Sequence, residues 1–174
     1  MKLAPAKYSA IDRLRDGREV EIRALKPDDE VDLLTAIKRT SAQSLYRRFF
    51  GAKRDFSDKE RTFFLNIDFI NHVALVAVVE AGNRAVIVAG GRYVVVRPGV
   101  AEVAFVVVDD YQGQGIGAAL LRHLATIARA AGLKELVAEV LPENIPMLKV
   151  FEKSGLKLST KREPGVVHVA LQLS

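Results

Sequence analysis

The stretch VVVDDYQGQGIGAALLRHLA, residues 106–125, places three alternating glycines between an apolar strand and the start of a helix. Glycine adopts positive φ angles without strain and lets another group approach the backbone closely. The helix that follows carries a partial positive charge at its N-terminus, so the segment predicts an anion-binding site made of backbone N–H groups. No lysine lies between residues 109 and 121, so such a site depends on those amides.

Two other phosphate-binding patterns fit this segment less well. The Walker pattern requires Gly-Lys-Ser/Thr, which is absent. The dinucleotide pattern nominally fits Gly113, Gly115 and Ala118, but there the first glycine follows the strand directly and opens a long α/β series. Here DDYQ intervenes and the extended strands come before the glycines. A glycine-softened strand-to-helix turn that binds nothing is the structural alternative.

Composition narrows the class of protein. With 174 residues, 49% of them hydrophobic, the chain is long enough for one substantial core and short for two. The absence of cysteine excludes disulfides, thiolate metal sites and a cysteine nucleophile. The net charge of +5 favours anionic partners but does not choose among nucleic acid, membrane and a polyphosphate cofactor.

The chain shows no targeting or membrane signal. Its first residues lack the apolar segment of a signal peptide, and the longest apolar run, residues 73–79, is far shorter than the roughly 20 residues of a membrane span. We therefore expect a soluble, cytoplasmic protein with no membrane partner.

Periodic patterns predict an opening strand and helix. REVEIRAL, residues 18–25, alternates polar and apolar residues as a half-buried strand does, and residues 26–40 have the apolar spacing of a helix. Ser41 and Ser57 each begin a further short helix as N-caps, the second with Glu60 at the capping-box position.

The rest of the chain predicts an α+β fold. Three β-branched apolar runs indicate a strand meander over residues 72–80, 84–97 and 101–109. After the glycines we expect a helix of about 17 residues ending at Gly132, then a strand, a helix over residues 144–155 and two closing strands.

Two ordered motifs carry a resemblance to a known family. The glycine segment resembles the acetyl-CoA signature of the GNAT superfamily of N-acyltransferases, Gln/Arg-x-x-Gly-x-Gly/Ala, with Gln112, Gly115 and Gly117 at its defined positions. NIPMLKVFEKSGL, residues 144–156, is similar to the second family motif. The resemblance implies one GNAT domain over residues 18–174, after an N-terminal extension of residues 1–17. It also implies a mixed, mostly antiparallel sheet of about six or seven strands with flanking helices and splayed central strands.

The resemblance also implies the cofactor-binding residues. The pantetheine arm of acetyl-CoA is expected to pair with the backbone of Val106, Val107 and Val108, where an amide also polarises the thioester carbonyl. The remaining predicted contacts lie in the two motifs: Gln112, Gly113, Gln114, Gly115, Ile116, Gly117, Ala118, Asn144 and Phe151.

The chemistry needs a base. Without cysteine, the simplest route is direct attack by an amine in a ternary complex, yet a lysine amine with a pKa of about 10.4 is only about one part in 2,500 neutral at pH 7. Glu102 is the one ionisable residue in GVAEVAFVVV, residues 99–108, where an apolar setting is expected to raise its pKa. It also matches the glutamate proposed as base in similar GNAT protein acetyltransferases. The alternative is an exposed Glu102 at the start of a strand.

The general acid has no clear candidate. Phe151 stands where many members of the family have a tyrosine that protonates the leaving thiolate. Tyr111 and Tyr93 are candidates whose alternative role is packing, and solvent is a further proton source.

Other polar residues have two interpretations each. Arg122 and Arg129 either reach the ribose 3′-phosphate of the cofactor or form a solvated helix face. His72 is a polar group near the cleft or a capping or surface residue. The three histidines, spread over the chain, predict no metal site.

Basic and aromatic residues are interspersed in SLYRRFFGAKR, residues 44–54. One interpretation of such a segment is nucleic-acid binding. The other, which we favour, is an amphipathic helix that buries its aromatic side chains and leaves its cationic side chains in solvent. SAQSLYRRFF, residues 41–50, also resembles a stretch of bacterial GNAT domains that acetylate protein lysines.

From the two ordered motifs, Glu102 and this segment, we expect an acetyl-CoA-dependent N-acetyltransferase acting on a protein lysine. A small-molecule amine acetyltransferase and a non-catalytic acyl-CoA-binding module are the alternatives.

Overall fold

A computed structural model describes residues 5–29, 67–108 and 111–173. The described strands are β1 (Ser9–Arg13), β2 (Glu19–Ala24), β3 (His72–Ala81), β4 (Arg84–Arg97), β5 (Val100–Val107), β6 (Glu135–Val140), β7 (Lys157–Glu163) and β8 (Val166–Gln172). The two described α-helices are α1 (Ile116–Ala130) and α2 (Ile145–Glu152), and short 3₁₀ turns lie at Pro5–Lys7 and Pro27–Asp29.

All eight described strands form one sheet in the order β1-β2-β3-β4-β5-β6-β8-β7. Every neighbouring pair is antiparallel except β5 and β6, which are parallel. The predicted α+β class with a mixed, mostly antiparallel sheet is therefore confirmed. The predicted count of six or seven strands is too low, because it missed β1.

Strand β1 lies within residues 1–17, which the sequence assigned to an N-terminal extension. It pairs with β2 from Ser9 opposite Arg23 to Arg13 opposite Glu19 and forms one edge of the sheet. Its segment SAIDR has one large apolar side chain, Ile11, which is exposed, so no apolar alternation marked it as a strand. The boundary at residue 18 stays a prediction.

The core lies between the sheet and α1. Leu120, Leu124 and Ile127 are fully buried on one face of this helix, which packs against β3, β4 and β5. The helix covers residues 116–130, and Gly132, with a φ of +85°, lies just beyond its end. The apolar meander that the sequence predicted forms β3, β4 and β5, and β3 is buried along most of its length.

The two neighbours of β5 differ in how far they pair with it. Strand β4 pairs along β5 from Ala89 opposite Val107 to Arg97 opposite Val100. Strand β6 pairs only at residues 100–102, opposite residues 135–137, and the two strands then separate. The predicted splay of the central strands is therefore present, and it opens toward the glycine segment.

Several predicted elements lie outside the described residues. They are most of the helix predicted over residues 26–40, the helices predicted after Ser41 and Ser57, and the basic and aromatic segment over residues 44–54. Neither α1 nor α2 has the length and apolar character needed to cross a membrane.

Candidate active site

The separation of β5 from β6 opens a cleft of about 770 Å³. One wall is formed by residues 102–107 of β5, and the other by residues 138–140 of β6 together with the first turns of α2. The glycine loop and the start of α1 close one end. The glycine loop, predicted to bind an anion, and the separation of β5 from β6, predicted to form a cofactor cleft, therefore belong to one cavity.

The start of α1 is shaped as an anion seat. Gly113 and Gly115 have φ angles of +80° and +89°, which favour glycine, and Gly115 is an N-cap without a side chain that could bond the helix. The first helical hydrogen bond runs from the Ala119 N–H to the Gly115 carbonyl at 3.0 Å. The N–H groups of residues 116–118 precede that bond, and all three residues line the cleft.

The two glutamines of the loop have different positions. Gln112 lines the cleft, and its side-chain amide donates to the Val107 carbonyl at 3.2 Å, which ties the loop to the end of β5. Gln114 does not line the cleft. Its side-chain oxygen is buried and has no hydrogen-bond donor among the described residues.

The three valines predicted to pair with pantetheine do not behave alike. Val106 and Val107 line the cleft, beside the side of β5 that β6 has left. Val108 lies outside it, because its N–H donates to the Val88 carbonyl and its carbonyl accepts from the Tyr111 N–H, both at 2.9 Å. The Val108 N–H is therefore engaged within the chain, and contact of this residue with the pantetheine arm stays a prediction.

Glu102 stands at the point where the splay begins. It lies opposite Val137, the last of the register pairs between β5 and β6, and it lines the cleft. Its side chain is exposed, so the expected apolar enclosure is absent and the alternative of an exposed glutamate holds for this structure. It makes no hydrogen bond or ion pair with the described part of the chain.

A second carboxylate, which no sequence pattern indicated, lines the same cleft. Glu139 of β6 has a side-chain oxygen 3.8 Å from His168 Nδ1, across the β6–β8 pair. Strand alternation alone gave no sign that this exposed residue faces the cleft, because only the tertiary separation of β5 and β6 makes it do so.

The second motif builds the apolar wall. Asn144 is the N-cap of α2, and its side-chain oxygen accepts from the Met147 N–H at 3.4 Å. Phe151 is only 1% exposed, and its ring centroid lies 6.3 Å from that of Phe105. Both Asn144 and Phe151 line the cleft, and Phe151 contributes apolar surface without a titratable proton.

The two candidate tyrosines lie in different places. Tyr93 is 1% exposed and does not line the cleft, and burial raises its pKa to about 12. Tyr111 lines the cleft beside the glycine loop, where the Arg18 guanidinium lies 5.1 Å from its ring centroid. Because β5 rises about 3.3 Å per residue, this loop is roughly 16 Å from Glu102 along the strand.

His72 is a buried residue of β3, which differs from the capping or surface role favoured by the sequence. Arg92 donates to its Nε2 at 2.9 Å, so the proton of the neutral ring lies on Nδ1. Burial, and after it the charge of Arg92, lower the pKa of His72 to about 4. The side chain is not part of the cleft lining.

The arginines considered for the cofactor's 3′-phosphate are engaged elsewhere. Arg122 lies 3.2 Å from the Asp12 carboxylate of β1, and Arg129 donates to the Leu173 carbonyl at 2.8 Å. Neither lines the cleft. Arg15, which follows β1, does line it and donates to the Gly113 carbonyl at 3.2 Å. No sequence motif indicated Arg15, because the residue belongs to the predicted N-terminal extension.

Comparisons with known proteins found similar acetyltransferases. The model of the acetyltransferase (GNAT) family matches residues 39–156. Acetyltransferase Pat of Mycolicibacterium smegmatis is 32% identical over 159 residues, 89% of this chain and 46% of that protein, so this chain spans about half of its length. Acetyltransferase PA5475 of Pseudomonas aeruginosa is 33% identical over 127 residues, 72% of this chain and 68% of that protein. The crystal structure of the GNAT domain of S. lividans PAT is similar with a TM-score of 0.84 and 35% identity, covering 94% of this chain and 96% of that one.

Proposed function

This chain belongs to the acetyltransferase (GNAT) family, and we propose that it transfers an acetyl group from acetyl-CoA to a primary amine, with a protein lysine as the acceptor. The observation that carries the proposal is the meeting of the open β5–β6 seam with the uncapped start of α1. The open seam suits the extended thioester arm of acetyl-CoA, and the start of α1 suits the phosphates at the far end of that arm.

The residues present fit the cosubstrate. The N–H groups of residues 116–118 and the positive φ angles of Gly113 and Gly115 suit a diphosphate approaching the backbone. Because the Val108 N–H donates to Val88 of β4, strand alternation also directs the backbone groups of Val106 toward β4 and those of Val107 toward the open seam. The Val107 N–H therefore offers a hydrogen bond to an amide-containing arm. Phe105 and Phe151 supply apolar surface beside that arm.

Acetyl-CoA supplies the activated acetyl group, and this chain supplies position and a proton acceptor. In the proposed step, the amine nitrogen bonds to the acetyl carbon, the carbon–sulfur bond breaks, and CoA leaves as a thiolate. Backbone N–H groups of β5 that face the open seam donate to the acetyl oxygen, whose negative charge grows during attack. The thiolate takes its proton from solvent, since Phe151 has none to give.

Glu102 is the base of this proposal. It lies at the vertex of the splay, at the end of the cleft away from the glycine loop, and no described residue engages its carboxylate. It takes the proton that the amine must lose, directly or through one water. Its exposure leaves room for a protein side chain to reach it, and an entering acceptor removes water from the carboxylate.

The proposed acceptor is the side-chain amine of a protein lysine. This acceptor is supported by the resemblance of residues 41–50 to GNAT domains that acetylate protein lysines. The opening of the cleft on the exposed face of β5 is compatible with a side chain presented by another protein.

The test is a CoA-release assay with purified chain and acetyl-CoA, in which a host lysate's protein fraction and small-molecule fraction are compared as acceptors. Release that depends on the protein fraction, with acetylated lysines found by mass spectrometry, supports the proposal. Release with the small-molecule fraction alone overturns the protein acceptor and favours a metabolite amine. Tight acetyl-CoA binding without release from either fraction overturns the enzyme and favours a binding module.

A further inference from the structure

We propose that Arg15, in the turn between β1 and β2, binds the diphosphate of acetyl-CoA from outside the glycine loop. This inference rests on the proposed function, because it assumes that the cleft holds acetyl-CoA. It adds to the backbone amides a charged side chain from a segment that the sequence motif does not include.

The turn that carries Arg15 is held in one conformation. The Leu14 N–H donates to the Arg18 carbonyl at 2.8 Å, and the Gly17 N–H donates to the Leu14 carbonyl at 3.0 Å. The Asp16 carboxylate accepts from the Arg18 backbone N–H at 3.0 Å and from its Nε at 2.8 Å. Gly17, with a φ of +90°, supplies the left-handed residue that such a turn needs.

The same turn docks on the glycine loop at two points. The Arg15 backbone N–H donates to the Gln114 carbonyl at 3.2 Å. One residue before Gln112, the ring of Tyr111 lies under the Arg18 guanidinium at 5.1 Å. These contacts join segments almost one hundred positions apart in the chain, and they fix Arg15 beside the loop without help from its own side chain.

The Arg15 side chain then extends into the phosphate end of the cleft. Its guanidinium donates to the Gly113 carbonyl at 3.2 Å, and its Nε lies 4.0 Å from where a Cβ on Gly115 would stand. A guanidinium has five N–H donors, and within the described residues this bond is the one that the Arg15 guanidinium makes. The remaining donors are on an exposed side chain that lines the cleft.

Charge makes a phosphate the fitting partner. The loop amides are neutral, and three cationic residues line the cleft in the described structure: Arg15, Lys149 and Lys153. Arg15 is the one of the three whose side chain is hydrogen-bonded to the loop. A planar guanidinium pairs with phosphate oxygens through two parallel hydrogen bonds, which gives it geometric as well as electrostatic preference for this group.

The experiment is titration calorimetry of the full chain with acetyl-CoA, comparing wild type with Arg15→Ala, Arg15→Gln and Arg13→Ala. Arg13 is the matched control, because it is an exposed arginine of β1 that donates to the Gly17 carbonyl and does not line the cleft. Arg15→Gln keeps a donor for the Gly113 carbonyl but removes the charge.

We expect Arg15→Ala and Arg15→Gln each to weaken binding about tenfold, as for loss of a charged hydrogen bond, and Arg13→Ala to bind as wild type does. Acetyl-CoA without its 3′-phosphate should show the same tenfold loss in the Arg15 variants. Wild-type affinity in Arg15→Gln would overturn the inference, because it would mean that Arg15 only holds the loop.

Three further outcomes separate this inference from others. Disappearance of the loss with the 3′-dephospho compound would also overturn it, by assigning Arg15 to the 3′-phosphate. No binding by the wild-type chain would overturn the proposed function itself. Equal, tight binding by wild type and both Arg15 variants would overturn the Arg15 inference and leave that function standing.

Discussion

Strand β5 has two seams, and they differ in a way that separates stability from function. On one side β4 pairs with it along its length, and on the other β6 pairs over residues 100–102 and then departs. The closed seam is covered by α1, and it consists mainly of apolar residues together with Gly90 and Gly91. The open seam exposes backbone donors and acceptors, which a folded chain leaves available only where a partner satisfies them.

Substitutions at the two seams should therefore have opposite signatures. A change in the open seam should reduce cosubstrate binding or turnover and leave the free energy of unfolding near its wild-type value. A change in the closed seam should mainly reduce that free energy.

Glu102→Gln removes the proposed base at the vertex of the open seam. Loss of a general base lowers kcat about 10² to 10⁴-fold, while acetyl-CoA affinity and the unfolding midpoint should stay the same. Steady-state CoA release and thermal unfolding measure these quantities. Glu139→Gln is the matched control, since Glu139 also lines the cleft but lies near His168. If only Glu139→Gln is inactive, the base is Glu139 and our assignment is wrong.

Gly91→Ala should disturb the closed seam. A Cβ at Gly91 would lie 2.8 Å from Phe105 Cδ1, and overpacking of this kind costs about 1 to 3 kcal/mol of unfolding free energy. Gly90→Ala is the control, because its Cβ would meet the Leu75 carbonyl oxygen at an ordinary 3.7 Å. Denaturant unfolding of both variants measures the difference, and equal stability would show that Phe105 moves away without cost.

Gly115→Ala tests the loop end of the open seam. Alanine at a φ of +89° is strained, so the loop should relax and bind acetyl-CoA about tenfold more weakly. Gly132→Ala places alanine at a similar φ of +85° at the other end of α1, away from the cleft. It should lose comparable stability and keep its affinity. Calorimetric titration distinguishes the two, and an equal loss of affinity would mean that strain alone is responsible.

His72, on β3, should make the free energy of unfolding depend on pH. Its pKa of about 4 in the folded protein lies below the value of about 6.5 in an unfolded chain, so unfolding takes up a proton between those values. Stability from this group is present above pH 6.5 and falls as the pH drops toward 4, by at most about 1.4 kcal/mol per pH unit. His72→Gln should show a shallower fall in urea unfolding across that range, and an unchanged slope would contradict the buried, neutral histidine.

The sequence predicted the open seam better than its surroundings. Gln112, Gly115 and Asn144 of the two ordered motifs line the cleft, because such motifs encode local backbone geometry. Strand β1 was missed because its short, polar segment is held by pairing with β2, which no local pattern reveals. Arg15 and Glu139 reach the cleft through tertiary packing, across the chain or across the splay.

The surroundings of Val108 and Glu102 differ from those expected from the sequence. Val108 belongs to the apolar run that was expected to meet the pantetheine arm, but the chain turns there and uses its backbone groups internally. Glu102 lies in an apolar segment, yet strand alternation places its side chain on the exposed face. An apolar sequence neighbourhood therefore did not give an apolar environment.

The most direct test of the two-seam account is amide hydrogen exchange of the full chain with and without acetyl-CoA. The account predicts slower exchange on binding for the seam-facing amides within residues 103–107 and for the loop and helix start at residues 113–118. Amides that pair β3 with β4 should exchange at unchanged rates. Protection confined to β3 and β4, or acetyl-CoA binding without protection along β5, would contradict the claim that the open seam holds the cosubstrate.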